Sequence, residues 1–97
     1  MDLVFHRLVQ NDLRAVLRYY EAEGGAALAD RFFEELQAMV LEVSQRPTSF
    51  HPANEGLRRA NLKSFPYHLL FRVRPASVRV LVLRHHRKHP DFGMDRI

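Results

Sequence analysis

Five successive residues late in the chain, Arg84, His85, His86, Arg87 and Lys88, all carry nitrogen donors, and His89 and Asp91 follow them. A guanidinium presents a fixed fork to phosphate or carboxylate oxygens, so this run is expected to grip a nucleic-acid backbone or an acidic protein surface. The competing reading is a solvated charge run. Imidazoles also bind zinc, copper and nickel. Adjacent strand residues point to opposite faces, so His85 and His86 would not share one ion, and no cysteine is present to complete a set. Neither a metal nor a cofactor is therefore expected, and the histidines read as hydrogen-bond donors at a strand end. A third chemistry is metal-independent RNA cleavage, which needs proton exchange at two oxygens and cations around a charged phosphorane. Arg72, Arg84, His86 and Lys63 would supply it. Arg72 reads equally as a half-exposed sheet residue, and Lys63 as a surface charge.

The elements that hold these residues follow from periodicity. Leu3, Val4 and Phe5 form a short apolar run suited to a first strand. Val9, Leu13, Val16, Leu17 and Tyr20 recur at helical spacing until Gly24 and Gly25. Ala29, Phe32, Phe33, Leu36, Met39, Val40 and Val43 make a second, wider stripe, closed by Arg46 and Pro47. So short a separation predicts an antiparallel helical hairpin. Tyr19, Tyr20, Phe32 and Phe33 follow its apolar faces and belong to the core, with Tyr19 or Phe33 at most reaching solvent as a partner contact.

Residues 47–56 keep neither period and read as a surface loop. Period two then takes over in Leu57–Lys63, Tyr67–Arg74 and Val78–Leu83. Tyr67, Leu69, Phe71 and Val73 alternate with His68, Leu70, Arg72 and Arg74, so the first set is expected under the helices. Val78, Val80 and Val82 alternate with Arg79, Leu81 and Leu83 in the same manner, leaving a second face that mixes apolar and basic groups. The expectation is a single α+β domain over residues 1–97, ordered β-α-α-β-β-β, with a helical hairpin packed on a twisted antiparallel sheet.

Charge is divided unevenly: residues 1–56 hold five Lys/Arg against nine Asp/Glu, residues 57–97 ten against two, within a net charge of +4. The basic half favours a nucleic-acid or acidic-protein partner. Without cysteine, a basic apolar leader or a bilayer-length apolar stretch, the protein is expected to be cytoplasmic, with no membrane association.

Several strings occur in a telling order. They are Asp12-Leu13 with Tyr19-Tyr20-Glu21, Arg31-Phe32-Phe33 with Leu36, Arg46-Pro47, Phe65-Pro66-Tyr67 leading to Phe71-Arg72-Val73, and His85-His86-Arg87 before Pro90. Together they resemble the RelE/ParE toxin superfamily, most closely its ParE-like branch of plasmid stabilisation proteins, over nearly the whole chain. The resemblance implies the toxin of a type II toxin–antitoxin system and a cognate antitoxin whose tail wraps it in a hetero-oligomer. ParE-like members block DNA gyrase, and RelE-like members cut mRNA in the ribosome using basic residues of the sheet and an aromatic near the C-terminus. Arg72 and the Arg84–Arg87 segment match those positions, but no tyrosine follows Tyr67 and the late aromatic is Phe92. The expectation is a ParE-like gyrase inhibitor that binds rather than catalyses, with Arg84, His85, His86, Arg87 and Lys88 meeting the target. The alternatives are a ribosome-dependent mRNA endoribonuclease and a non-toxic nucleic-acid-binding or regulatory module.

Overall fold

The computed structural model describes residues 1–96. Strand β1 (Asp2–Phe5) leads into helix α1 (Val9–Gln45), and four strands follow: β2 (His51–Pro52), β3 (Arg58–Asn61), β4 (Tyr67–Val73) and β5 (Ser77–His85). The turn into α1 is held by His6, whose Nδ1 accepts the Leu8 N–H at 3.1 Å and whose carbonyl accepts the Val9 N–H at 3.0 Å.

Within α1, Gly24 and Gly25 lie outside helical dihedrals, and Gly25 sits at φ 78°, ψ −177°. That region is open only to glycine. An unbroken helix of 37 residues would be about 55 Å long. The longest dimension of the molecule is 40 Å. The rings of Tyr20 and Phe32 lie 5.5 Å apart, where a straight helix would separate those positions by about 18 Å. The helix therefore doubles back at the glycine pair, and its two arms form the expected hairpin.

The sheet order is β1-β5-β4-β3-β2. β2–β5 pair antiparallel, whereas β1 pairs parallel with β5. The sheet is thus mixed rather than wholly antiparallel, because the hairpin carries the chain across one face before it returns on the far side of β5. A short strand also lies inside the segment expected to be a loop: His51 and Pro52 pair with Arg59 and Arg58.

Between hairpin and sheet lies the main core, with Phe32, Val43, Leu69, Phe71, Val78, Val80 and Leu83 at 2% exposure or less. The alternation expected for β5 fails at Leu81. Leu70 pairs with Val82 but Phe71 pairs with Val80, so Leu81 is the extra residue of a β-bulge. Beyond it the faces invert: Leu83, not Val82, joins the helix-side core, and Val82 packs with Leu57, Leu70 and Leu81 on the other face. That second face is covered in part by the segment after β5, through Phe92 and Met94. Gly93 permits the contact, because at φ 82° a Cβ would sit 2.7 Å from Val82 Cγ2.

A buried ion pair pins this segment. Arg96 donates to both Asp12 oxygens, at 2.6 and 3.0 Å, with side-chain exposures of 8% and 5%. Beyond Val80, where β1 no longer covers β5, Asp12 accepts the Leu83 N–H and Arg96 donates to the Leu81 carbonyl. The pair thereby satisfies edge backbone groups that would otherwise be buried unpaired. Among the described residues no helix is long and apolar enough to cross a membrane.

Candidate functional site

The face of the sheet turned away from the hairpin carries Arg59 and Asn61 from β3, His68 from β4 and Arg84 from β5. Pairing brings Asn61 and Arg84 to either side of His68, with Arg59 beside Leu70. Arg84 reaches this face only because of the bulge at Leu81, since uninterrupted alternation would turn it toward α1. His86, just past β5, lies beside His68 with ring centroids 5.1 Å apart and planes 14° from parallel.

Hydrogen bonds join these groups into a chain. Arg84 Nε donates to His68 Nε2 at 2.9 Å. The Nδ1 atoms of His68 and His86 lie 2.9 Å apart, and Arg59 Nη2 is 3.2 Å from His86 Nδ1. Arginine only donates, so His68 Nε2 must be the acceptor, and the neutral ring then bears its proton on Nδ1. That proton points at His86 Nδ1, whose one lone pair is shared between it and the longer Arg59 contact, so His86 carries its own proton on Nε2. Arg59 Nε donates to Asn61 Oδ1 at 2.7 Å, and Arg84 Nη1 donates to the carbonyls of Pro90 and Phe92 at 2.7 and 3.0 Å.

Electrostatics favour the neutral rings. His68 is 1% exposed, and burial, followed by the charges of Arg59 and Arg84 and the neighbouring His86 and His85, pushes its pKa down to about 3. Burial and then Arg59 and His85 hold His86 below the usual histidine value, and burial and then Arg59 lower Arg84. Among the described residues no carboxylate lies within ion-pair distance of Arg59 or Arg84.

The run Arg84–Lys88 is thus split. Arg84 and His86 belong to this cluster, while His85 turns to the helix side, its ring 5.0 Å from that of Tyr67. Arg87 and Lys88 are exposed on the turn that follows, with Lys88 Nζ 4.7 Å from the centre of the Phe92 ring. Of the residues considered for RNA cleavage, only Arg84 and His86 come together. Arg72 lies four positions along β4 from His68, about 13 Å away, directly opposite Arg79, and donates to the Glu55 carbonyl at 3.0 Å. Lys63 sits in the β3–β4 turn, where Glu35 on α1 accepts its backbone N–H at 2.9 Å. His68, Arg59 and Asn61 were not among the residues singled out from sequence. The alternation of β4 assigns His68 to this face, but its burial comes with Arg84 and His86, which contact it from β5 and beyond.

A different surface lies across the molecule. An open apolar groove of about 660 Å³ runs between β1 and the hairpin, lined by Leu3, Phe5, Leu13, Leu36, Val40 and Leu41. Its rim exposes Phe5, Phe33 and Leu41 at 46%, 37% and 57%. The outer edge of β1 has no strand neighbour among the described residues. Tyr19, 54% exposed, stands elsewhere on the hairpin, beside a cleft of about 470 Å³ with Asn11, His85 and Lys88.

The model of the family described as "ParE toxin of type II toxin-antitoxin system, parDE" matches residues 3–90. The chain belongs to the ParE toxin family. A solved structure titled "Chromosomal ParDE TA system from P. aeruginosa" contains a chain similar in fold, with a TM-score of 0.80 at 23% identity, over 88% of this chain and 95% of that one. Comparison with curated proteins gives no match. The hairpin, the mixed five-stranded sheet and the parallel β1 are therefore arranged as in a ParE fold. The cationic cluster lies on the sheet face that this fold leaves clear of helices.

Proposed function

We propose that this ParE-family chain is the toxin of a type II pair that acts in the cytoplasm by binding DNA gyrase, and that a cognate antitoxin occupies the apolar groove beside β1. The family match over residues 3–90 carries the assignment to a toxin. Binding rather than catalysis is supported by the dispersion of the groups that RNA cleavage would need. Arg72 and Lys63 lie apart from the Arg84–His86 pair, and His68 is held neutral between Arg84 and His86. His86, Arg87 and Lys88 form the target surface, with Arg84 bracing it from behind and His85 reaching it only from the helix side.

The groove suits the antitoxin because an exposed apolar surface flanked by an unpaired strand edge receives a segment that brings apolar side chains and backbone hydrogen bonds together. Neutralisation would then come from a partner that need not touch the cationic face. Leu41→Glu should weaken antitoxin binding while leaving toxicity intact. The second reading, ribosome-dependent mRNA cleavage, draws on the contact between the Arg84–His68 pair and His86. The two readings separate in one experiment, with purified protein added to a gyrase supercoiling reaction and, in parallel, to translating ribosomes with labelled message. Supercoiling lost with message intact, and restored by the antitoxin, is the expected result. Message cut with supercoiling unaffected would overturn it.

A further inference from the structure

Two guanidiniums and two imidazoles converge on the helix-free face of the sheet, and among the described residues the charges that shift them come from arginines and histidines. Arg59 is the hub: it contacts His86, and its charge disfavours protonation of His68, His86 and Arg84 alike. No carboxylate among the described residues offsets it. A fold that assembles cations without a counter-charge stores a repulsion that a bound anion relieves.

The directions of the hydrogen bonds show where that anion would sit. Arg84 is committed inward, to His68 and to the carbonyls of Pro90 and Phe92. It fixes the proton of His68 on Nδ1, which in turn fixes that of His86 on Nε2. His86 is exposed, and its Nε2–H is left to donate outward. Arg59 is half-buried and uses Nε on Asn61 and Nη2 on His86, so its Nη1 group remains a donor on the same sheet face. His86 is thus fixed in advance by the buried His68, and Arg59 is held by Asn61 and His86, unlike a flexible group of surface lysines.

We propose that Arg59 and His86, backed by the His68–Arg84 pair, form an anion-binding site that takes a phosphate of a nucleic-acid backbone. A polyanion is favoured over a single anion because the positive field continues past the site. Arg87 and Lys88 follow it on the exposed turn, and residues 57–97 carry ten Lys/Arg against two Asp/Glu. The site stands independently of gyrase as the target, since it concerns what the chain binds by itself.

The test is fluorescence-anisotropy binding of a labelled DNA duplex by the full chain over a series of salt concentrations, alongside labelled polyglutamate and inorganic phosphate. Each phosphate-neutralising cation contributes about 0.9 to the slope of log affinity against log salt on duplex DNA. Arg59→Ala should lower that slope by about one and the affinity roughly tenfold. Arg59→Lys should keep the slope, and Lys63→Ala should behave as wild type. His86→Gln should weaken binding severalfold at unchanged slope, because a neutral donor is altered and no charge is removed. Far-ultraviolet circular dichroism confirms the fold of each variant, and Arg59→Lys tests the charge if Arg59→Ala does not fold. Duplex binding with the same slope in Arg59→Ala and wild type would overturn the site. Binding of polyglutamate or free phosphate without duplex binding would overturn the assignment to nucleic acid.

Discussion

The His68 ring ties the stability of this protein to pH, and the size of the effect follows from its surroundings. In the unfolded chain its pKa is near 6.5, and in the folded protein it is about 3. Between those values the unfolded state binds a proton that the native state refuses, so stability falls as pH drops from about 6.5 toward 3. At pH 4 the loss amounts to roughly 3 kcal/mol, at about 1.4 kcal/mol per unit. A domain of this size has about 5–10 kcal/mol in total. The cost is large because a protonated ring would be buried between two guanidiniums and would lose the acceptor that receives Arg84 Nε. Urea denaturation at pH 7, 5 and 4 reads it, with a midpoint expected to fall by roughly 1–3 M between pH 7 and 4. Other groups move in the same direction. His6 and His86 are also lowered, and Glu35, raised by burial but held down more strongly by hydrogen bonds from Ser64 and Lys63, loses its contribution as pH falls through its folded pKa. The decisive quantity is therefore the difference between wild type and His68→Gln, whose amide can accept from Arg84 and donate to His86 without titrating. The variant should lose most of the dependence between pH 6.5 and 4. An unchanged pH profile in His68→Gln would mean that the dependence does not arise at His68.

Other outcomes follow from single features. Arg96→Ala leaves the Asp12 carboxylate buried without its cation, so urea melts should show a loss of about 3–5 kcal/mol, and Arg96→Met with Asp12→Asn should recover part of it. Gly25→Ala forces a Cβ into φ 78°, ψ −177°, and should cost about 1–3 kcal/mol in the same assay. Leu41→Glu places a charge on the apolar rim and should reduce antitoxin affinity by at least about tenfold in calorimetry, equivalent to 1.4 kcal/mol, with the midpoint of the free chain unchanged.

Much of this architecture is legible in the sequence because its signals are local. The stripe from Ala29 to Val43, the glycine pair and the alternation of Tyr67–Val73 each specify an element from its own residues. The parallel pairing of β1 is not legible, since Leu3, Val4 and Phe5 state that a strand forms but not which edge receives it. The bulge is hidden for a different reason. Val78 to Leu83 is apolar at nearly every position, so the pattern fits either face and the register is set by packing on β4. That ambiguity propagates to the site. Arg84 and His86 stand out as chemistry, but their union with His68 and Arg59 requires the inverted face after Leu81. It also requires a terminal segment pinned by residues 84 positions apart, Asp12 and Arg96.

Contact of this ParE-family chain with gyrase through its cationic edge is read by one supercoiling assay that titrates wild type, Arg87→Ala and Lys63→Ala. Arg87 is exposed, so its removal leaves the core untouched, and the loss of one charged contact of about 1.5 kcal/mol should raise the inhibitory concentration roughly tenfold. Wild type and Lys63→Ala should inhibit together, with Arg87→Ala displaced to higher concentration. Full supercoiling at every concentration of wild type, or three coincident curves, would mean that the chain does not act on gyrase through this surface.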